Sequence, residues 1–158
     1  MATGLHEGDV VWLKLPYGDF ILRPDPATET ILIAGGTGIT PFVAFLEFLL
    51  DRRLEVPVRL FYGVRKKALL LYRSLIDECT TQLTRFQVHY FVESLEGSSE
   101  SSSFRKGKLS IDAIVKEVAN SFQADYYLSG PPQMIREFSA ELSARVFSSK
   151  RVHVDAWD

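Results

Sequence analysis

The sequence predicts a doubly wound α/β fold from about residue 28 to residue 158: a five-stranded, mostly parallel sheet with helices on both faces. Three observations predict it. Short runs rich in β-branched and aromatic residues alternate with amphipathic stretches of ten to sixteen residues, the rhythm of right-handed βαβ crossovers. The first run leads straight into Gly35-Gly36-Thr37-Gly38 and then a Pro-bearing helix start. A second glycine loop, Ser129-Gly130-Pro131-Pro132, opens the last helix in the same manner.

The elements follow in order. "GDVVWLKLPYGDFIL" (8–22) alternates like a strand, turns at Pro16-Tyr17-Gly18 and resumes, so residues 1–27 read as a β-hairpin with a Pro-bounded linker. A hairpin cannot bury both of its faces alone. It therefore packs on the α/β domain or is the tail of a missing β domain. "ILIA" (31–34) is a buried strand, and "TPFVAFLEFLLD" (40–51) is a helix with Thr40 as cap and Pro41 at its first position. "VRLFYGV" (58–64) is the second strand. In 68–83, Leu71, Leu75, Cys79 and Leu83 recur every four residues, which predicts a helix. "FQVHYFV" (86–92) is the third strand, followed by a Ser-rich solvated loop at 96–107. A helix capped by Ser110 spans 110–120, with Ile111, Ile114, Val115 and Val118 on one face. The fourth strand (124–129), a helix at 132–147 with Ile135, Phe138, Leu142 and Val146 inward, and a fifth strand (151–157) complete the domain.

Composition narrows the function. Net charge is −2, without the basic surplus of a nucleic-acid binder. One cysteine, Cys79, allows no internal disulfide and no Cys-rich metal site, and its place on an apolar helix repeat suits a core residue. His6, His89 and His153 are far apart and offer no metal-ligand spacing; His89 and His153 read as packed strand residues. The longest apolar run, 41–50, holds Glu47 and is too short to span a bilayer. No secretory signal pattern opens the chain. A soluble cytoplasmic protein that binds neither nucleic acid nor membrane is expected. No G-x-S-x-G elbow exists, which disfavours a hydrolase.

The glycine loop carries the chemistry. In a doubly wound sheet, ligands sit beyond the carboxyl ends of the strands. Gly35, Gly36 and Gly38 allow a tight turn and close approach to a phosphate, and the helix from Thr40 adds free N–H groups. Thr37 and Thr40 bring hydroxyls. The Lys of the ATP-type loop is missing, and Pro41 stands where the dinucleotide fingerprint has its third glycine. The second strand ends in Gly63-Val64-Arg65-Lys66-Lys67, basic where the common NAD fold has an acid.

Taken together, "GGTGITPF", "LFYGVR", "YYLSGPPQM" and "VHVDAW" resemble the pyridine-nucleotide-binding domain of the ferredoxin–NADP reductase superfamily, over residues 28–158. "GDVVWLKLPYGDFIL" resembles the last strands of that family's flavin-binding barrel. The resemblance implies that Gly35, Gly36, Thr37, Gly38, Thr40 and Pro41 lie along the pyrophosphate and nicotinamide of NAD(P)H. It implies that Tyr62, Gly63 and Arg65 flank the nucleotide, with Glu93 and Ser94 at the ribose. It places Ser129, Gly130, Pro131 and Met134 beside the nicotinamide and adenosine path, and Ser129, Asp155 and Trp157 as the catalytic group next to a flavin. For Trp157, flavin stacking and plain packing both stay open. The implied chemistry is hydride transfer from nicotinamide to FAD, then electron export to a carrier protein or haem.

Three departures qualify this. The family's flavin-binding Arg-x-Tyr-Ser/Thr motif is absent, so the chain should not hold FAD in the family's way and is a fragment, a half that needs a partner flavin domain, or a remnant. Ser129 stands where many members have Cys. Glu93-Ser94-Leu95 replaces the Ser-Arg that grips a 2′-phosphate, which favours NADH, although Arg65, Lys66, Arg105, Lys106 and Lys108 leave NADPH open. The alternative function is a non-catalytic nucleotide-binding or protein-interaction subunit.

Overall fold

The computed structural model describes residues 4, 6–12, 20–94, 104–118, 121–145 and 149–155. Its elements are β1 (Thr30–Gly35), α1 (Thr40–Arg52), β2 (Val58–Lys66), α2 (Arg73–Gln82), β3 (Phe86–Ser94), β4 (Phe104–Lys106), α3 (Ile111–Glu117), β5 (Asp125–Ser129), α4 (Pro132–Arg145) and β6 (Val152–Val154). The strands form one sheet in the order β4-β3-β2-β1-β5-β6, and every neighbouring pair is parallel.

Both sheet faces are buried, which is why the strands read as near-continuous apolar runs. Alternate residues of β1 go to opposite sides. Leu32 and Ala34 join Leu60, Tyr62, Tyr90 and the inner faces of α1 and α2. Ile31 and Ile33 join Phe61, Phe91 and the inner faces of α3 and α4. Cys79 is buried in the first layer, and burial lifts its thiol pKa to about 11. Ser110 caps α3 as expected, its hydroxyl accepting from the Ala113 N–H.

Among the described residues the sheet has six strands where the sequence predicts five. The additional strand, β4, is three residues at an edge, inside the stretch expected to be a solvated loop. Contacts distant in sequence hold it. Phe104 stacks on Tyr90 with centroids 4.8 Å apart, and Lys67 and Arg73 place their cations over its ring. The rest of that loop, 96–103, lies outside the described residues.

Helix α2 starts at Arg73, later than expected. A short 3₁₀ turn covers Lys67–Leu69, Tyr72 takes a left-handed conformation (φ 53°), and the Leu71 N–H donates to the Tyr62 hydroxyl at 3.2 Å. Leu71 is consequently exposed and not on the apolar stripe. Val146 lies outside the described residues.

At the N-terminal side, Phe20 packs on Phe42 and Tyr127 at 5.9 and 5.8 Å, and Leu22 joins the same layer. The turn expected at 16–18 lies outside the described residues; the described parts of the two arms, 8–12 and 20–22, hold no strand. No helix among the described residues is long and apolar enough to cross a membrane.

Candidate functional site

β1 lies between β2 and β5, so the order of connection reverses at the carboxyl ends of β1 and β5. Such a switch point is where an open α/β sheet leaves a crevice. Here the crevice is a cleft of about 540 Å³, within the size range of small-molecule sites.

The β1–α1 loop forms one wall. Gly36 has φ +55°, a conformation glycine adopts without strain. A 3₁₀ turn covers Gly36–Ile39, and α1 continues directly from it. Thr40 is therefore not the cap. It is already helical, and its hydroxyl donates to the Thr37 carbonyl at 2.8 Å. Helical geometry begins earlier than the Thr-Pro pair suggests because the glycines permit the tighter turn. Pro41 sits in the first turn of α1, as expected.

The β5–α4 loop packs against this one, backbone to backbone. A Cβ on Gly38 would lie 2.3 Å from the Ser129 carbonyl oxygen and 2.6 Å from the Gly130 Cα. One on Gly130 would lie 3.2 Å from the Gly35 N and Cα. One on Gly35 would meet the Met134 thioether at 2.5 Å. Only at Gly36 in this loop does the missing Cβ point into open space. Gly38 is thus spent on joining the loops, and Gly36 is the glycine with open space beside it.

The cleft runs from these loops across the ends of β2 and β3. Gly35, Gly36, Gly63, Arg65, Glu93, Pro131 and Met134 line it, as the sequence reading expects. Lys108 also lines it. Val64, Leu69, Leu109, Gln133, Glu137 and Phe138 complete the lining; the sequence reading makes none of them a site residue and names Phe138 only as an inward helix position. Helical spacing is the signal that could have found three of them, since positions 133, 134, 137 and 138 share one face of α4. Gln133 donates to Glu137 at 2.9 Å on that face. Leu109 had no local signal. It packs over Gly63, where a Cβ would come within 3.0 Å of it.

The remaining expected site residues fall elsewhere. Tyr62 is fully buried on the α1/α2 side of the sheet, so its side chain does not reach the cleft; burial raises its phenol pKa. Thr37 and Ser94 are exposed but outside the lining. Ser129 and Asp155 come together: the serine, 4% exposed, donates to the Asp155 carboxylate at 3.1 Å. The Asp155 N–H in turn donates to the Leu128 carbonyl at 2.9 Å, which fixes the residue after β6. Trp157 lies outside the described residues. Among the described residues, no cluster of His, Cys, Asp and Glu could hold a metal ion. His89 and His153 stack on Phe61 and Tyr127 at 4.9 and 4.5 Å, as packed strand residues.

A family model described as the oxidoreductase NAD-binding domain matches residues 32–140, more than half of the chain and every residue that lines the cleft. The chain belongs to the oxidoreductase NAD-binding domain family. Among curated members with a related sequence, the 2-halobenzoate 1,2-dioxygenase electron transfer component of Burkholderia cepacia is 34% identical over 131 residues, covering 82% of this chain and 37% of that protein. The crystal structure of an Amycolatopsis cytochrome P450 reductase superposes with a TM-score of 0.72 at 29% identity, covering 89% of this chain and 41% of that one. The ferredoxin–NADP⁺ reductase of Plasmodium falciparum, solved with 2′P-AMP, gives 0.65 at 25% identity, covering 89% and 58%. The chain therefore spans less than two thirds of each of these proteins. The likeness to ferredoxin reductase-type proteins expected from its motifs holds, and it covers their NAD-binding domain.

Proposed function

We propose that this chain is the NAD(P)H-binding module of a flavin-dependent electron-transfer oxidoreductase. One observation carries the reading: two glycine loops of an NAD-binding family member close on each other at the sheet's switch point and leave a cleft of small-molecule size beside them.

The residues present fit a dinucleotide. The open space beside Gly36 and the first turn of α1 suit the pyrophosphate. Leu69, Leu109, Met134 and Phe138 give apolar contact surface for rings, and Arg65 and Lys108 bring positive charge to the phosphates. Glu93, at the end of β3, accepts from a ribose hydroxyl and repels a 2′-phosphate, so NADH is the preferred nucleotide. Ser129 and Asp155, hydrogen-bonded to each other at the β5/β6 end and outside the cleft lining, are read as the pair that borders the nicotinamide. The sequence lacks the family's Arg-x-Tyr-Ser/Thr flavin motif, so no residue here is assigned to hold FAD.

A bound nicotinamide would supply hydride, and a flavin held outside the residues assigned here would take it and pass electrons singly to a carrier protein or haem. This chain's part is to hold the nucleotide in register and keep water from the ring. The reading takes residues 1–27 as the end of the flavin-binding barrel and 28–158 as the nucleotide domain, acting in the cytoplasm, where a single unpaired cysteine stays reduced.

The test is calorimetric titration of the chain with NADH and NADPH separately. Binding of NADH in the micromolar range, with NADPH weaker, is the expected result. No heat from either nucleotide at millimolar concentration overturns the proposal.

A further inference from the structure

The two glycine loops meet with a third component between them. Met134 stands in the first turn of α4, half-buried and lining the cleft. Its Sδ would lie 2.5 Å from a Cβ on Gly35 and 3.2 Å from one on Gly130, and its Cε 3.2 Å from the one on Gly35. The thioether therefore fills the volume that both glycines leave vacant. A carbon added at Gly35 has to move it, because 2.5 Å is far inside contact distance, and the Pro131 ring stands 3.0 Å from the same carbon. A methionine side chain has three rotatable bonds and moves easily. Being part of the cleft lining already, it has the cleft to move into.

We propose that Met134 is a positioning residue for the dinucleotide. Seated between Gly35 and Gly130, it holds the loops at their spacing and leaves the cleft clear; displaced, it occupies the space the nucleotide needs. The glycines on either side are there to accept the sulfur as much as to approach a phosphate. This inference rests on the nucleotide-binding reading above.

The chain has two methionines, Met1 and Met134, so [methyl-¹³C]methionine labelling gives a readily assigned probe of the thioether. In Gly35→Ala, the Met134 methyl resonance should shift from its wild-type position. In Gly36→Ala, whose added methyl meets nothing within 4 Å, it should stay. NADH titration should show affinity weakened about tenfold in Gly35→Ala, and restored to within about threefold of Met134→Ala when both changes are combined, since coupled contacts are not additive. Should Gly35→Ala not fold, Met134→Phe makes the same test: its ring cannot enter the seam, and NADH binding should weaken about tenfold with both glycines intact. Additive losses in the double variant, an unshifted methyl resonance in Gly35→Ala, or wild-type affinity in Met134→Phe each overturn the proposal. Wild-type protein that binds no nucleotide overturns the underlying reading instead, and the wild-type titration separates the two failures.

Discussion

Gly38→Ala would place a methyl carbon 2.3 Å from the Ser129 carbonyl oxygen, 2.5 Å from its carbon and 2.6 Å from the Gly130 Cα. All three contacts are about 1 Å inside ordinary carbon packing distances. None is to the end of a flexible side chain, so no rotamer change relieves them. Relief requires the β1–α1 and β5–α4 loops to part, and Ser129 is pinned by its pairing with Ala34 and its bond to Asp155. Overpacking against backbone of this kind belongs at or above the upper end of the usual range, about 3 kcal/mol or more. For a chain of this size that lowers Tm by about 6–12 °C. Gly36→Ala is the comparison. It introduces no contact within 4 Å, and its left-handed conformation (φ +55°) costs about 1 kcal/mol, or about 2–4 °C. Thermal melts followed by far-UV circular dichroism without nucleotide measure both. A Gly38→Ala variant melting within 3 °C of wild type, or above Gly36→Ala, refutes the argument that Gly38 serves the joint between the loops.

Other outcomes follow from the same geometry. Cys79 is buried with its thiol pKa near 11, so a disulfide reagent at pH 8 should label it only as fast as the protein unfolds; rapid labelling of the native chain would contradict its place in the core. Burial holds the His89 pKa below the ordinary histidine value, with Arg105 and Arg59 reinforcing this and Glu117 opposing it. The unfolded chain therefore binds a proton that the folded chain refuses, and stability falls as pH drops from about 6.5 toward the folded-state pKa. His89→Phe, which keeps the stack on Phe61, should lack that part of the acid loss in urea melts between pH 7 and 5; identical pH profiles would refute it. Glu93→Gln removes a carboxylate worth about 1 kcal/mol of repulsion per facing charge in water, so the ratio of the NADPH Kd to the NADH Kd should fall by about fivefold. An unchanged ratio would remove Glu93 from the discrimination.

The strand–helix alternation was legible because each crossover buries a strand on both faces, and that leaves an apolar run such as Ile31–Ala34 in the sequence. What local pattern could not show was decided by partners far along the chain. β4 exists because Phe104 finds Tyr90 and the cations of Lys67 and Arg73. The leucines at 69–71 look helical, yet the Tyr62 hydroxyl takes the Leu71 N–H and Tyr72 turns left-handed, so α2 starts later. In the site, the glycines were plain but their separate duties were not. Gly38 answers to Ser129, ninety-one positions away, whereas Gly36 answers to open space. Leu109 lines the cleft because Gly63 leaves room for it, a relation that no spacing rule contains.

The position of β1 bears on how the chain is made. β1 pairs with β2 on one side and with β5 on the other. During translation its β2 edge is covered early, but the other edge waits until every residue from Gly36 to Ala124 has been added and Asp125–Ser129 has left the ribosome. At common elongation rates that wait is roughly 5–20 s. For that time the nascent chain carries the unpaired edge of what becomes a central strand, with Ile31, Leu32 and Ile33 beside it. This is the interval in which a chaperone would find its binding segment, and in which an overexpressed chain would be most prone to aggregate.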